Sequence, residues 1–148
     1  MKTLLLGTIL CFAVTNSYGK NSPNQNPANA IIDVVEAFGK SADQQNATKM
    51  GKILHKDFRA LLNRLFGGKD LSVTNKETYL SLLESKKIGG DNRTVIINSI
   101  NIQGANAYVH ATFKGEKLIF NTYLLLVEKE DGVWQIISDM PVIEKVKG

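Results

Sequence analysis

The feature that most constrains this chain is the order of its hydrophobic periods, which change from helical to strand-like at Gly89-Gly90. Upstream, Ile31, Val34, Val35 and Phe38 fall at i, i+3, i+4 and i+7, with Asp33 and Glu36 on the opposite side, which predicts an amphipathic helix from about Asn29 to Ala42. Downstream, "RTVIINSINI", "ANAYVHATFK", "KLIFNTYLLLVEK" and "VWQIISDMPVIEK" read as strands. They are separated by Gln103-Gly104, Lys114-Gly115-Glu116 and Glu130-Asp131-Gly132, connections short enough for hairpins. Helices that precede strands, rather than alternate with them, predict an α+β fold. Three N-terminal helices should cover the concave face of a strongly curved antiparallel sheet.

The segment between these regions supplies the other helices and a strand pair. After a polar break at 43–46, Met50, Ile53 and Leu54 mark a short second helix with Asn46 as its cap. Phe58 to Phe66 reads as a strand, although "RALLNRLF" also fits a helical period; Gly67 to Asp70 is a turn and Leu71 to Val73 a returning strand. Thr74 and Glu77 form a capping-box pattern that starts a third helix, with Tyr79, Leu80 and Leu83 inward and Gly89-Gly90 as its stop. The run from Tyr123 to Val127 is apolar on both parities. It predicts a central strand, one face against the helices and the other free for a second subunit, while Trp134 closes one end of the core.

The N-terminal residues read as an export signal. Met1-Lys2 is followed by "TLLLGTILCFAV" and by small Ser17 and Gly19, the pattern of a secretory signal over 1–19 that is cleaved before Lys20. A membrane span needs about 20 apolar residues, so no stable membrane insertion is expected after cleavage. Cys11, the one cysteine, leaves with the signal, which removes disulfides, thiolate chemistry and cysteine metal sites from the mature chain. An exported, disulfide-free domain points to a bacterial periplasmic or secreted protein. Residues 20–29, "KNSPNQNPAN", predict a disordered tether and 30–148 a single domain. The formal charge of +4 is spread among acids without stacking aromatics, which argues against nucleic acid as a partner.

Few residues offer chemistry. Of the two histidines, His110 lies on "AYVHATFK", where Tyr108, His110 and Thr112 share one face and Ala107, Val109, Ala111 and Phe113 the other. If the first face lines a cavity, that polar row is a ligand-binding candidate together with Tyr123 and Trp134. Otherwise His110 sits half-exposed on an outer face or at a dimer contact. Asp139 is a candidate acid or base on the parity of Val133, Gln135 and Ile137, and Asp57 a candidate pocket-mouth acid with Arg59 beside it. His55 and His110 are far apart, and neither H-E-x-x-H nor an EF-hand pattern occurs, so no metal site is expected.

A helix, a short helix, a strand pair, a capped helix and a meander ending in "TYLLLVEKEDGVWQIISDM" resemble the NTF2-like superfamily, the cone-shaped fold of nuclear transport factor 2, ketosteroid isomerase and the SnoaL-like polyketide cyclases. Together with "LHKDFRALL", these segments are most similar to the small bacterial branch named for lumazine binding, and the likeness spans about Ala30 to Val146. The resemblance implies a pocket between sheet and helices, and a homodimer packed sheet to sheet. The isomerase branch carries catalytic acids on its first and penultimate strands, where this chain reads "RALLNRL" and "TYLLLV". The expectation is therefore an exported, non-enzymatic module that binds a small apolar or aromatic ligand without a cofactor. The alternatives are a cyclase or isomerase using His110 with Asp139 or Asp57, and a module that docks another protein.

Overall fold

The computed structural model describes residues 26–147; the expected signal segment 1–19 and positions 20–25 of the expected tether lie outside them. Helix α1 (Pro27–Asp43) begins earlier than its apolar stripe indicates. The Asn26 side chain accepts a hydrogen bond from the Ala28 N–H, and Pro27 occupies a first-turn position where no amide hydrogen is needed. Residues 27–29 are thus helix rather than tether. Ile31, Val35, Phe38 and Ala42 are buried along the inner stripe of α1. Helix α2 (Ala47–Ile53) is capped by Asn46, whose side chain accepts from the Lys49 N–H at 2.9 Å.

Strand β1 (Leu54–Asn63) follows α2 without a loop, four residues before the predicted start, because Leu54 is fully buried and pairs with Ile136 of the last strand. A single 3₁₀ turn (Leu65–Gly67) leads to β2 (Leu71–Asn75), antiparallel to β1. Helix α3 (Lys76–Glu84) is capped by Asn75 rather than Thr74. Asn75 accepts from the Thr78 N–H at 2.9 Å, while Thr74 is still strand, paired with Ala60. Asn75→Ala should therefore cost about 1 kcal/mol in urea unfolding, and Thr74→Ala clearly less. Equal losses would return the cap to Thr74.

Helix α3 ends at Ser85, before the glycine pair that was expected to stop it. Gly89 and Gly90 instead dock the next loop onto the end of α1. Both have positive φ, the Gly90 N–H donates to the Ala42 carbonyl at 3.1 Å, and a Cβ on Gly89 would collide with that same carbonyl.

The meander forms as the sequence indicates: β3 (Thr94–Gln103), β4 (Asn106–Lys114), β5 (Leu118–Glu128) and β6 (Trp134–Lys145), each antiparallel to the next. Both strand groups join in one six-stranded sheet of order β2-β1-β6-β5-β4-β3. The β1–β6 pair is parallel, so the sheet is mixed rather than wholly antiparallel. Helix α1 packs against β3 and β6, and α3 against β1 and β2, all on one concave face. Strand β5 is internal, as its apolar run predicts, and Leu124 and Leu126 are buried. Tyr123 and Leu125, on the other parity, are exposed. Trp134 is buried in the core at the start of β6.

Candidate functional site: a cone cavity with a polar wall

Between the helices and the inner sheet face lies a cavity of about 480 Å³. Its wall is largely aromatic and aliphatic: Phe38 from α1, Tyr79 and Leu82 from α3, Phe113 from β4 and Phe120 from β5. The Tyr79 ring is fixed from two sides, edge-on to Phe58 at 5.4 Å and stacked on Phe38 at 6.5 Å between centroids. Such packing fixes where the phenol points while leaving the hydroxyl itself unbonded among the described residues.

Asp139 reaches this cavity because of one extra residue. Leu126 pairs with Ile136 but Leu125 pairs with Ser138, so Ile137 is bulged out of register. A one-residue insertion reverses the parity of everything after it. Trp134 and Ile136 point inward before the bulge, and Asp139 and Pro141 after it. Asp139 therefore shares the face of Trp134 and Ile136, not that of Val133, Gln135 and Ile137 as strict alternation predicts. Asp139 is 8% exposed as a residue, and its Oδ1 accepts a hydrogen bond from the buried Thr122 hydroxyl at 2.5 Å. No described residue hydrogen-bonds its Oδ2.

Burial pushes the Asp139 carboxyl up to about 6, against the opposing pull of the Thr122 hydrogen bond and the positive charge of Arg93. Burial also pushes the Tyr79 phenol up, and the negative charge of Asp139 adds to that shift. Arg93 completes the polar wall. Its Nε donates to Asp43 Oδ1 at 2.5 Å, its backbone N–H to Asp43 Oδ2 at 2.9 Å and its Nη2 to the Gly39 carbonyl at 3.2 Å. Its guanidinium carbon lies 5.5 Å from the Phe113 ring centroid and 5.2 Å from that of Phe120.

The remaining candidates lie elsewhere. Tyr108, His110, Thr112 and Tyr123 are on the outer sheet face, because Ala107, Val109, Ala111 and Phe113 take the inner parity of β4 and Thr122 and Leu124 that of β5. His110 stacks on Tyr123 there with centroids 4.7 Å apart, and the Thr112 hydroxyl is bridged between Asn98 and Asn121. Trp134 is core rather than cavity wall. Asp57 is exposed on β1, bonded at 2.6 Å to Lys56 rather than Arg59, and that bond holds its carboxyl below the usual range. Neither His110–Asp139 nor His110–Asp57 comes together: the sheet separates the first pair, and Asp57 keeps company with His55 and Lys56. Among the described residues, no group of three His, Cys, Asp or Glu could hold a metal ion. Tyr79 and Arg93 were missed as site residues. Arg93 carries no local signal, because Asp43 and both phenylalanines are distant in sequence.

The six-stranded curled sheet, three covering helices and the cavity between them define an NTF2-like α+β cone. Solved structures agree. An NTF2-like protein of unknown function from Silicibacter pomeroyi is 18% identical with a TM-score of 0.69, the match covering 79% of this chain and 95% of that one. One from Shewanella baltica is 15% identical with a TM-score of 0.69, covering 86% and 100%. Another from Cytophaga hutchinsonii is 20% identical with a TM-score of 0.64, covering 80% and 98%. At these identities the likeness is one of fold. No match was found among curated proteins. Residues 26–140 match a family model described as "Putative lumazine-binding", and the chain belongs to that family.

Proposed function

We propose that this domain is a non-enzymatic binding module that holds a small, mostly apolar or aromatic molecule in its cone. One observation carries the reading: a preformed cavity of about 480 Å³, walled by aromatic rings, in which the free carboxyl oxygen of Asp139 has no protein partner among the described residues. The family's description supports a fused-ring ligand, which makes lumazine the first compound to try. The test is calorimetric titration of the full chain with lumazine beside Leu82→Trp, which puts an indole into the cavity. Binding should weaken at least about tenfold in the variant, with its far-ultraviolet circular dichroism unchanged. Affinity untouched by a filled cavity would refute the cone as the binding site.

The module acts, in this reading, outside the cytoplasm after loss of 1–19, and as a homodimer through the outer sheet face. Tyr108, Tyr123, Leu125, Met140 and Val142 support that pairing, because all five are exposed on adjoining strands. A second reading, proton transfer in the cyclase or isomerase manner, is favoured only by the buried carboxyl of Asp139 beside the Tyr79 phenol.

A further inference from the structure

The cavity opens at one end of the sheet, and that end carries a feature that packing does not explain. Leu65 and Phe66, in the 3₁₀ turn between β1 and β2, belong to the cavity wall yet are 39% and 58% exposed, so they stand at its mouth. Phe66 has a φ of 49° and Arg64 one of 51°, a left-handed backbone that side chains of this size rarely adopt. The turn is held there by the Arg64 N–H on the Asp70 carbonyl at 3.0 Å and the Gly68 N–H on the Leu65 carbonyl at 3.0 Å. Strain that is kept while an aromatic ring stays in water points to a use for that ring outside the core. Lys145 Nζ lies 5.8 Å from the centroid of the same ring, so a cation and an apolar anchor are presented side by side.

The charges at this end supply the chemistry of a partner. Because β1 and β6 run parallel, and Lys145 near the end of β6 pairs with Leu118 at the start of β5, the β1–β2 turn, the β4–β5 turn and the end of β6 lie together. Arg64, Lys69, Lys114, Lys117, Lys145 and Lys147 are all exposed there, and among the described residues none of them is ion-paired. The acids at the same end, Asp70, Glu116 and Glu144, are fewer, while Lys87 and Asp91 of the cavity wall offset each other. The β5–β6 turn, at the other end of those strands, sets Glu128, Glu130 and Asp131 against Lys129 alone.

We propose that the mouth end of the cone docks on an anionic lipid bilayer, Leu65 and Phe66 entering the headgroup layer and the surrounding cations facing lipid phosphates. Docking of this kind is peripheral: among the described residues, no helix is long and apolar enough to cross a membrane. An acidic protein is a poorer match, because two apolar side chains at a hairpin tip give it little area to cover, whereas a bilayer accepts a narrow wedge. The docked mouth faces lipid, and on the binding reading above, which docking itself does not need, an apolar occupant enters the cone without crossing water.

The test is cosedimentation with vesicles of phosphatidylglycerol or of phosphatidylcholine. It uses the chain from Lys20, which keeps every described helix and strand but lacks the apolar segment of 1–19 that would enter lipid by itself. Binding should be at least about tenfold tighter to phosphatidylglycerol, since each cation near an anionic surface contributes roughly fivefold. Added salt should weaken it. Leu65→Ser combined with Phe66→Ser should weaken it at least about tenfold, with far-ultraviolet circular dichroism unchanged. Phe66→Gly, which suits the positive φ and so keeps the turn, should by itself weaken binding severalfold. Absence of binding to either vesicle, equal binding to both, or binding untouched by the double variant overturns the proposal. If the double variant instead loses a dimer that forms without vesicles, the tip is a contact between copies of this chain and the proposal falls as well. None of these outcomes alters the lumazine titration, so docking and the binding reading fail separately.

Discussion

Arg93→Met should destabilise the fold by about 3–5 kcal/mol, the largest loss expected from any single polar substitution in this chain. The Arg93 side chain is 7% exposed and that of Asp43 16%, so the pair is held away from water. Three donors of Arg93 converge on the end of α1, two of them on the same carboxylate, while its guanidinium lies near the Phe113 and Phe120 rings. Methionine keeps much of the apolar contact, but the Asp43 carboxylate retains only the backbone N–H of residue 93 and loses its cation, and that uncompensated charge dominates the cost. Asp43→Asn in the same background should recover part of the loss, since it removes the stranded charge. Urea unfolding of the two single variants and the double variant measures this directly. A loss below about 1 kcal/mol for Arg93→Met would show that the pair behaves as an exposed surface bridge.

The second large effect is a pH dependence of the opposite sign to ordinary acid denaturation. In the folded chain the Asp139 carboxyl titrates at about 6, whereas its ordinary value is 3.8. Between those pH values the folded state keeps a proton that the unfolded state has released, so stability falls as pH rises. The contribution is fully present below about pH 4 and is lost as pH climbs through about 6, a change on the order of 3 kcal/mol. Asp131, held below the usual range by the Val133 N–H, slopes the other way, so the wild-type curve alone mixes both trends. Asp139→Asn isolates the effect, because the amide oxygen can still accept from Thr122. The variant should match the wild type near pH 4 and exceed it by on the order of 3 kcal/mol at pH 8. A difference between the two chains that stays flat across this range would mean that Asp139 is not desolvated.

The elements were more legible than the site. Local period identified α1 from Ile31, Val34, Val35 and Phe38, and the four meander strands from their turns, because those signals lie within a dozen residues of one another. The capping pattern at Thr74 and Glu77 misled by one position, since the helix starts at Lys76 and it is the Asn75 side chain that accepts from the Thr78 N–H. The start of β1 was obscured by a helix-compatible period that only pairing with β6 resolves. The site depends on more distant relations still. Alternation alone places Asp139 on the wrong face, and only the bulge at Ile137 moves it inward. The same alternation left open which face of β4 is covered, and the helices chose that of Ala107 and Val109, which put His110 outside.

The place of β6 has a consequence for how the molecule comes into being. It follows the other five described strands in sequence, yet it sits between β1 and β5, parallel to one and antiparallel to the other. Until residues 134–145 are available, the β1–β2 hairpin and the β3–β5 meander are two unjoined pieces with bare edges, and Asp139 has no cavity to enter. Closing the sheet requires pairing between residues far apart in the chain, Leu54 with Ile136 among them, which makes assembly slow and leaves those edges open to pairing with other chains meanwhile. The ribosome therefore delivers the keystone after the strands it joins, and a partner that shields unpaired strands would find its substrate in this chain before, rather than after, the cone exists.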